Sequence, residues 1–280
     1  MVRVLCAGHR TEVPAAGSAS VRVVLATSEE PLYLPGYLRP VFEAHADVIE
    51  AVALVPFGGS GPGQLREQLR AWGPRGAARL GTRFAGGRLL GLLPTPLQRR
   101  LPGGYRSVRR LARSYGLPVR HVPDAGDDAF VEWVDGQDPD LLLSVVAGQR
   151  LPAAVLASAD LAVNCHGSLL PKYRGRATAF WPLYHDDDRT GVTAHLMTEA
   201  FDDGPILRQR SFPIAAGDTM HDVSRKLAET GAELVVDLLD DLRAGLDPEP
   251  RPNPTDEYEY RTLPTPPERR EFRRRGNRLL

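Results

Sequence analysis

The stretch NCHGSLLPKYRGRA, residues 164 to 177, puts Asn164 and His166 two residues apart at the end of an apolar run, DLAVNC. Gly, Ser and Pro follow at once, so the chain must turn where its amide and imidazole appear. Further on, Asp202 and Asp203 precede Gly204, an Asp-Gly pairing that favours a turn. Turn chemistry alone would account for the two acids. Together with the Asn and the His, however, they make a polar set suited to acyl transfer. When an amine adds to a carbonyl, negative charge grows on oxygen and the nitrogen carries a surplus proton. An amide or imidazolium N–H aimed at that oxygen is worth about 3 kcal/mol. A His oriented by a carboxylate can take the proton or relay it through water. Ser168 has no Gly-x-Ser-x-Gly around it, which argues against a covalent acyl-enzyme. His166, His185 and His195 fit no common ligand spacing, so no metal is expected. Cys165, between the catalytic pair, should face the other side of the strand end and pack.

The elements that must position these residues follow from the apolar pattern. VRVVLATS (21–28), IEAVALVPF (49–57), LPVRHV (117–122), DLLLSVVAG (140–148) and DLAVNC (160–165) read as strands. Helix-compatible segments separate them, among them AFVEWV (129–134) and LPAAVLASA (151–159). That alternation predicts an α/β fold, a mostly parallel sheet with helices on both faces. Ligands then sit outside the carboxyl ends of the strands, where Asn164 and His166 fall. A helix is expected from Ala177 to about His185, a strand over TGVTAHLMTE (190–199), and an amphipathic helix after Gly217 capped by Asp218. No Gly-x-Gly-x-x-Gly follows either candidate first strand, so the dinucleotide fingerprint is absent.

The alternation breaks over residues 58 to 116, where many Arg accompany a single acid, Glu67. Short basic amphipathic helices broken by Gly and Pro are expected there. They form either an ordinary solvated insertion or a local anion site for a phosphate-bearing substrate or a membrane surface. Residues 1–20 read as a loose N-terminal extension and 246–280 as a short, irregular, Pro-rich C-terminal tail that packs back on the domain. With 280 residues, zero formal charge, 42% hydrophobic and 25% charged residues, the chain reads as one soluble domain with no global pull toward nucleic acid. Two dissimilar cysteines make no disulfide framework. Neither a membrane span nor a signal-peptide core is evident, so a cytoplasmic protein is expected.

From Asn164 to Leu207 the chain closely resembles the formyltransferase family that uses 10-formyltetrahydrofolate. Asn-x-His, Ser-Leu-Leu-Pro, Tyr-Arg-Gly, Thr-Gly-Val-Thr with a His two residues on, and Asp-x-Gly-x-Ile-Leu occur in order and at matching spacing. The resemblance covers about 117–245 well and 21–57 only by pattern. It implies a Rossmann-like formyltransferase fold over residues 21–245 and 10-formyltetrahydrofolate as formyl donor, released as tetrahydrofolate, with no metal. Asn164 and His166 would polarise the formyl oxygen, and Asp202 would be the catalytic carboxylate. Gln149, Arg150, Leu151 and Pro152 would form one wall of the folate pocket, and Thr198, Glu199, Ala200 and Phe201 the other. Ser168, Tyr173, Arg174 and Gly175 would shape the acceptor side, with turn and packing roles equally open to them. Thr178 stands where many members carry Pro.

In motif the chain is closest to enzymes that formylate amino sugars on nucleotide carriers, such as UDP-4-amino-4-deoxyarabinose formyltransferase. The acceptor is therefore expected to be a primary amine of a small molecule, either a nucleotide-linked amino sugar or a secondary-metabolite amine. Initiator tRNA is disfavoured, because the tail is too short for the β-barrel of the methionyl-tRNA enzymes. Other readings left open are a methionyl-tRNA-like enzyme, a formyltetrahydrofolate hydrolase and a non-catalytic folate-binding protein. A homodimer is compatible with the sequence.

Overall fold

The computed structural model describes residues 21–57, 62–102, 104–254, 256 and 258–280. The expected N-terminal extension, residues 1–20, lies outside them. Strands β1 (Val23–Thr27), β2 (Ile49–Leu54), β3 (Val119–His121), β4 (Leu141–Val145) and β5 (Leu161–His166) run parallel, in the order β3-β2-β1-β4-β5. Two antiparallel strands, β6 (Arg189–Leu196) and β7 (Ile206–Pro213), extend the sheet beyond β5 to seven strands. Every residue of β1 and β4 is buried. Helices on both faces leave such strands no solvated side, and hence their near-unbroken apolar runs.

Helices α1 (Leu34–His45), α4 (Val108–Ser114) and α8 (Met220–Arg243) share one core with Leu25, Leu143 and Val163 of the sheet. Helices α5 (Asp128–Asp135) and α6 (Ala153–Ala157) pack on the opposite face, against Val24, Ala26 and Leu142. Helix α7 (Phe180–Tyr184) is shorter than expected, because Ala177 adopts φ +59° and delays its start.

Two further expectations, that all of residues 58–116 is an insertion and that Asp218 caps α8, need correction. Helices broken by Gly and Pro are present in that segment: α2 (Pro62–Gly91) is two helices that meet at Gly73 (φ +70°), a non-helical residue just before Pro74. Its other glycines stay helical. The short helix α3 (Thr95–Gln98) follows it. Helix α4, inside residues 58–116, belongs to the core, since Val108 and Leu111 are fully buried. The cap of α8 is Thr219, in a capping box with Asp222. Asp218 accepts instead from the Ala215 amide and Lys226.

The tail packs back as expected but is not wholly irregular. It ends in helix α9 (Pro266–Arg274), which packs against α2 and α7. Phe272 is fully buried and stacks on Phe180 with ring centroids 4.5 Å apart.

Candidate active site

The site grows from a row across the sheet. Ser144 on β4 pairs with Asn164 on β5, and Asn164 with His195 on β6. Side chains in one row point to one face, and the parallel sheet presents this row near the carboxyl ends of β4 and β5. His166 follows Asn164 by two residues and shares its face.

The Asn164 amide donates to His195 Nε2 at 3.1 Å and lies 3.4 Å from Asp202 Oδ1. His195 Nδ1 donates to the Leu196 carbonyl at 2.9 Å, which leaves Nε2 free to accept from Asn164. His166 Nδ1 stands 3.3 Å from Asp202 Oδ1, and its Nε2 is 3.0 Å from the Tyr173 carbonyl. Both ring nitrogens therefore face acceptors. The Tyr173 carbonyl holds the nitrogen that a substrate oxygen would have to meet, so substrate binding must exchange one acceptor for the other.

Asp202 sits in a left-handed turn (φ +52°), its side chain 10% exposed. Burial alone would raise its pKa. The charge of His166, the neighbouring His195 and the Gly175 amide at 2.9 Å outweigh it and hold the carboxyl at about 2. Asp202 is thus a permanent anion at neutral pH. Burial pushes the Cys165 thiol up to about 12, so it is an inert packing group between Asn164 and His166, as expected, although it reaches the cleft wall.

Two loops carry these groups and are tied to each other. Thr193 donates to the Ser168 carbonyl (2.6 Å) and accepts from the Leu170 amide (3.0 Å), which fixes the turn after β5. Arg174 reaches the Phe201 carbonyl (2.9 Å) and pairs with Asp203 (3.1 Å). Gly175 has φ +97°, and a Cβ there would lie 2.2 Å from the Arg261 carbonyl. Only Gly allows that backbone and that approach. Gly204 closes the other loop tightly, for a Cβ there would lie 1.9 Å from the Leu196 carbonyl.

The triad opens on a cleft of about 890 Å³. Of the residues expected to hold folate, Gln149, Arg150 and Leu151 line it on one side and Thr198, Ala200 and Phe201 on the other. The Gln149 side chain is structural: it donates to the Pro56 (3.0 Å) and Pro123 (2.8 Å) carbonyls and accepts from the Ala125 amide (3.1 Å). Arg150 bridges the walls by donating to the Glu199 carbonyl at 3.0 Å. Pro152 and Glu199 themselves stand outside the lining, Pro152 as the residue before α6. On the acceptor side only Gly175 lines the cleft. Ser168 is fully buried and donates to the Lys172 carbonyl (2.7 Å), while the Tyr173 hydroxyl turns away to Asp187 (2.8 Å).

Several cleft residues were not anticipated. His195 was legible, since period-two alternation in its strand carries Thr193 and His195 to one face. Glu67, the single acid of its segment, reaches the rim and pairs with Arg176 at 2.6 Å. Tyr260 and Leu263 come from the tail, and no local pattern announces so distant a contact. Among the described residues no group of three or more His, Cys, Asp or Glu could hold a metal ion. No helix among them is long and apolar enough to cross a membrane.

Known proteins bear on this geometry. Residues 111–239 match the family described as Formyl transferase. Over that span the chain is similar to that family. A methionyl-tRNA formyltransferase from Pelobacter propionicus is 39% identical over 146 residues, 51% of this chain and 46% of that protein. The chain thus spans about half the length of the curated relatives it matches. Among solved structures, a glycinamide ribonucleotide transformylase from Symbiobacterium toebii superposes with a TM-score of 0.55 at 17% identity, covering 80% of this chain and 88% of that one. An N-formyltransferase from Helicobacter canadensis, solved with folinic acid and dTDP-3-aminofucose, gives 0.54 at 17% identity, over 86% and 71%. At such identities the shared feature is the fold. The formyl transferase span contains Asn164, His166, His195 and Asp202 but leaves out the whole of α2 and the tail.

Proposed function

We propose that this chain is a cytoplasmic formyltransferase that moves the formyl group of 10-formyltetrahydrofolate to a primary amine, that of an amino sugar carried on a nucleotide. The observation that carries this reading is the convergence of Asn164, His166 and Asp202 at one end of the cleft. The cleft volume lies within the ordinary range for ligand sites, about 300–1,000 Å³. Its wall from Val146 to Leu151 offers backbone groups and apolar surface to a flat heteroaromatic ring. The donor supplies the formyl carbon and leaves as tetrahydrofolate.

The protein's part is to bind, orient and move a proton. Asn164, its amide fixed by His195, presents an N–H to the oxygen that gains charge as the amine adds. His166, released from the Tyr173 carbonyl, donates its Nε2–H to the same oxygen. Asp202 keeps the imidazole oriented and offsets its charge. The amine's surplus proton must pass to the leaving nitrogen of the donor, and the His166–Asp202 pair lies where a water can relay it. Cys165 and Ser168 are both buried and otherwise engaged, which supports direct attack over a covalent intermediate.

The acceptor assignment rests on motif similarity and on the amino-sugar ligand of the Helicobacter protein. A second reading, formylation of methionyl-tRNA, is favoured by the names of the relatives at 35–40% identity. An acceptor screen separates them. Tetrahydrofolate release would be followed by absorbance with nucleotide-linked amino sugars, amino acids, small amines and charged initiator tRNA. Release that depends on an amino sugar supports the proposal, and dependence on charged tRNA replaces it. Release with no acceptor would make the chain a hydrolase of its donor.

A further inference from the structure

From residue 68 to residue 123 the sequence contains twelve Arg and no acid, in a chain of zero net charge. The middle of that stretch is a compact knob on the end of α2, and Gln98 ties it together. This fully buried side chain donates to the Gly91 and Leu93 carbonyls (2.8 Å each) and accepts from the Arg106 amide at 2.9 Å. Arg110 adds bonds to the Gly91 (2.9 Å) and Leu92 (3.1 Å) carbonyls. The packing is close enough that a Cβ on Gly91 would meet the Arg106 carbonyl at 2.9 Å.

This well-tied scaffold displays leucines outward. Leu89 is 67% and Leu92 70% exposed, and Leu90 and Leu97 are exposed beside them. Single exposed leucines need no explanation, but four within nine residues on a pinned turn make a patch. Exposed Arg88, Arg99 and Arg100 flank it. None of the three has a carboxylate partner among the described residues, although Arg208, Arg210 and Arg243 elsewhere are all paired.

We infer that this knob docks the protein on an anionic phospholipid surface, the leucines entering the interface and the arginines meeting headgroup phosphates. Apolar side chains ringed by cations without a carboxylate partner, Arg99 held only by the Tyr105 hydroxyl (2.8 Å), match that partner on both counts. A polynucleotide would satisfy the arginines and leave the leucines in water. A second copy of the chain would bring like charge against like charge in a two-fold contact. The knob lies outside the catalytic row, so docking and turnover are separable. The inference does not depend on which amine is formylated.

The test is sedimentation of the full chain with vesicles of phosphatidylglycerol and phosphatidylcholine, against phosphatidylcholine alone, at low and at 0.5 M salt. Binding is expected to the anionic vesicles only and to weaken with salt, as screening shortens the reach of charge. The double variant Leu89→Glu/Leu92→Glu should bind about tenfold more weakly or worse. Its thermal midpoint and its turnover of a soluble acceptor should match the parent's. Should that variant fold poorly, Arg99→Gln/Arg100→Gln serves the same purpose. No binding to anionic vesicles overturns the inference, whether or not poly(U) is retained. Equal binding to both vesicle types, or full binding by both variants, overturns it too.

Discussion

Around Asp202, two imidazoles, an amide side chain and a backbone N–H all lie within 3.6 Å, whereas Arg88, Arg99 and Arg100 on the knob meet no carboxylate. Both regions concentrate charge, and they handle it oppositely. In the cleft each charge is partly buried and bonded from several elements, so its orientation is fixed before substrate arrives. On the knob the backbone is fixed and the three guanidinium groups meet no carboxylate among the described residues, Arg99 donating only to the Tyr105 hydroxyl at 2.8 Å. Fixed charge serves a defined chemical step, in which reorganisation would raise the barrier. Unpaired surface charge serves a partner that is itself diffuse.

The comparison breaks most visibly at His166. His166→Ala should lower turnover by about 10³-fold, within the range for removing a positioned proton donor. Donor binding should stay within a few-fold, because the cleft walls are untouched. Asn164→Ala should cost about 10²–10³ in kcat, as loss of one donor to a developing oxyanion does. Single-turnover kinetics with a separate titration of the folate would check both. Near-normal turnover in either variant would remove the mechanism.

A second break comes from the tail. Asn253 donates to the Asp202 (3.2 Å) and Gly204 (3.0 Å) carbonyls and so holds the left-handed turn that aims the carboxylate. It does not line the cleft, and the role expected of it is to position Asp202. Asn253→Ala should reduce kcat about tenfold with a smaller change in the donor KM, since a shift of the carboxylate affects the reacting geometry first. Asn253→Gln should not restore it, because the longer side chain cannot reach both carbonyls from the same backbone. Equal changes in kcat and KM would mean that the tail merely stabilises the fold.

How much of this was legible in the sequence follows from the range of the interactions. β1 and β4 showed as apolar runs because burial on both faces disfavours polar residues, while the edge strand β3 showed despite Arg120 and His121. Asn164, His166 and Asp202 showed through motif spacing and strand-end placement. β7 did not: Ile-Leu-Arg-Gln-Arg-Ser-Phe-Pro carries polar residues that a half-exposed edge strand permits, and its arginines pair with Glu233 and Asp237 of α8. In α2 the break at Gly73–Pro74 was legible, whereas the later glycines signal breaks that the helix does not make. Tyr260 and Asn253 depend on contacts across about fifty or more positions, beyond the reach of any periodicity.

Acid should expose the fixed charge of the cleft. Asp202 is held at about 2 in the folded protein, against about 3.9 in an unfolded chain. A carboxyl lowered by folding contributes stability that is fully present above the unfolded value and is lost as pH falls toward the folded one. The parent should therefore lose more thermal stability than Asp202→Asn between pH of about 4 and 2. Above pH 5 the two curves should run parallel. A constant offset across the whole range would mean that the His166 pairing does not lower this carboxyl.

The smallest effect is expected at the start of α2, where Glu67 reaches the cleft. Arg66 and Arg70, the cations nearest Glu67 in sequence, are exposed and do not line the cleft. Arg66→Gln/Arg70→Gln should accordingly leave every acceptor KM within about twofold, as most exposed substitutions do. Glu67 is the residue of that segment that reaches the rim, and its partner Arg176 lines the cleft beside Gly175. Both side chains are nearly half exposed, so the pair is worth no more than about 1 kcal/mol. Glu67→Gln would release Arg176 toward the cleft and lower the KM of a phosphate-bearing acceptor by no more than about fivefold, with no change for a neutral amine. A larger response from the Arg66/Arg70 variant than from Glu67→Gln would mean that the arginines of this segment, and not its single acid, read the acceptor.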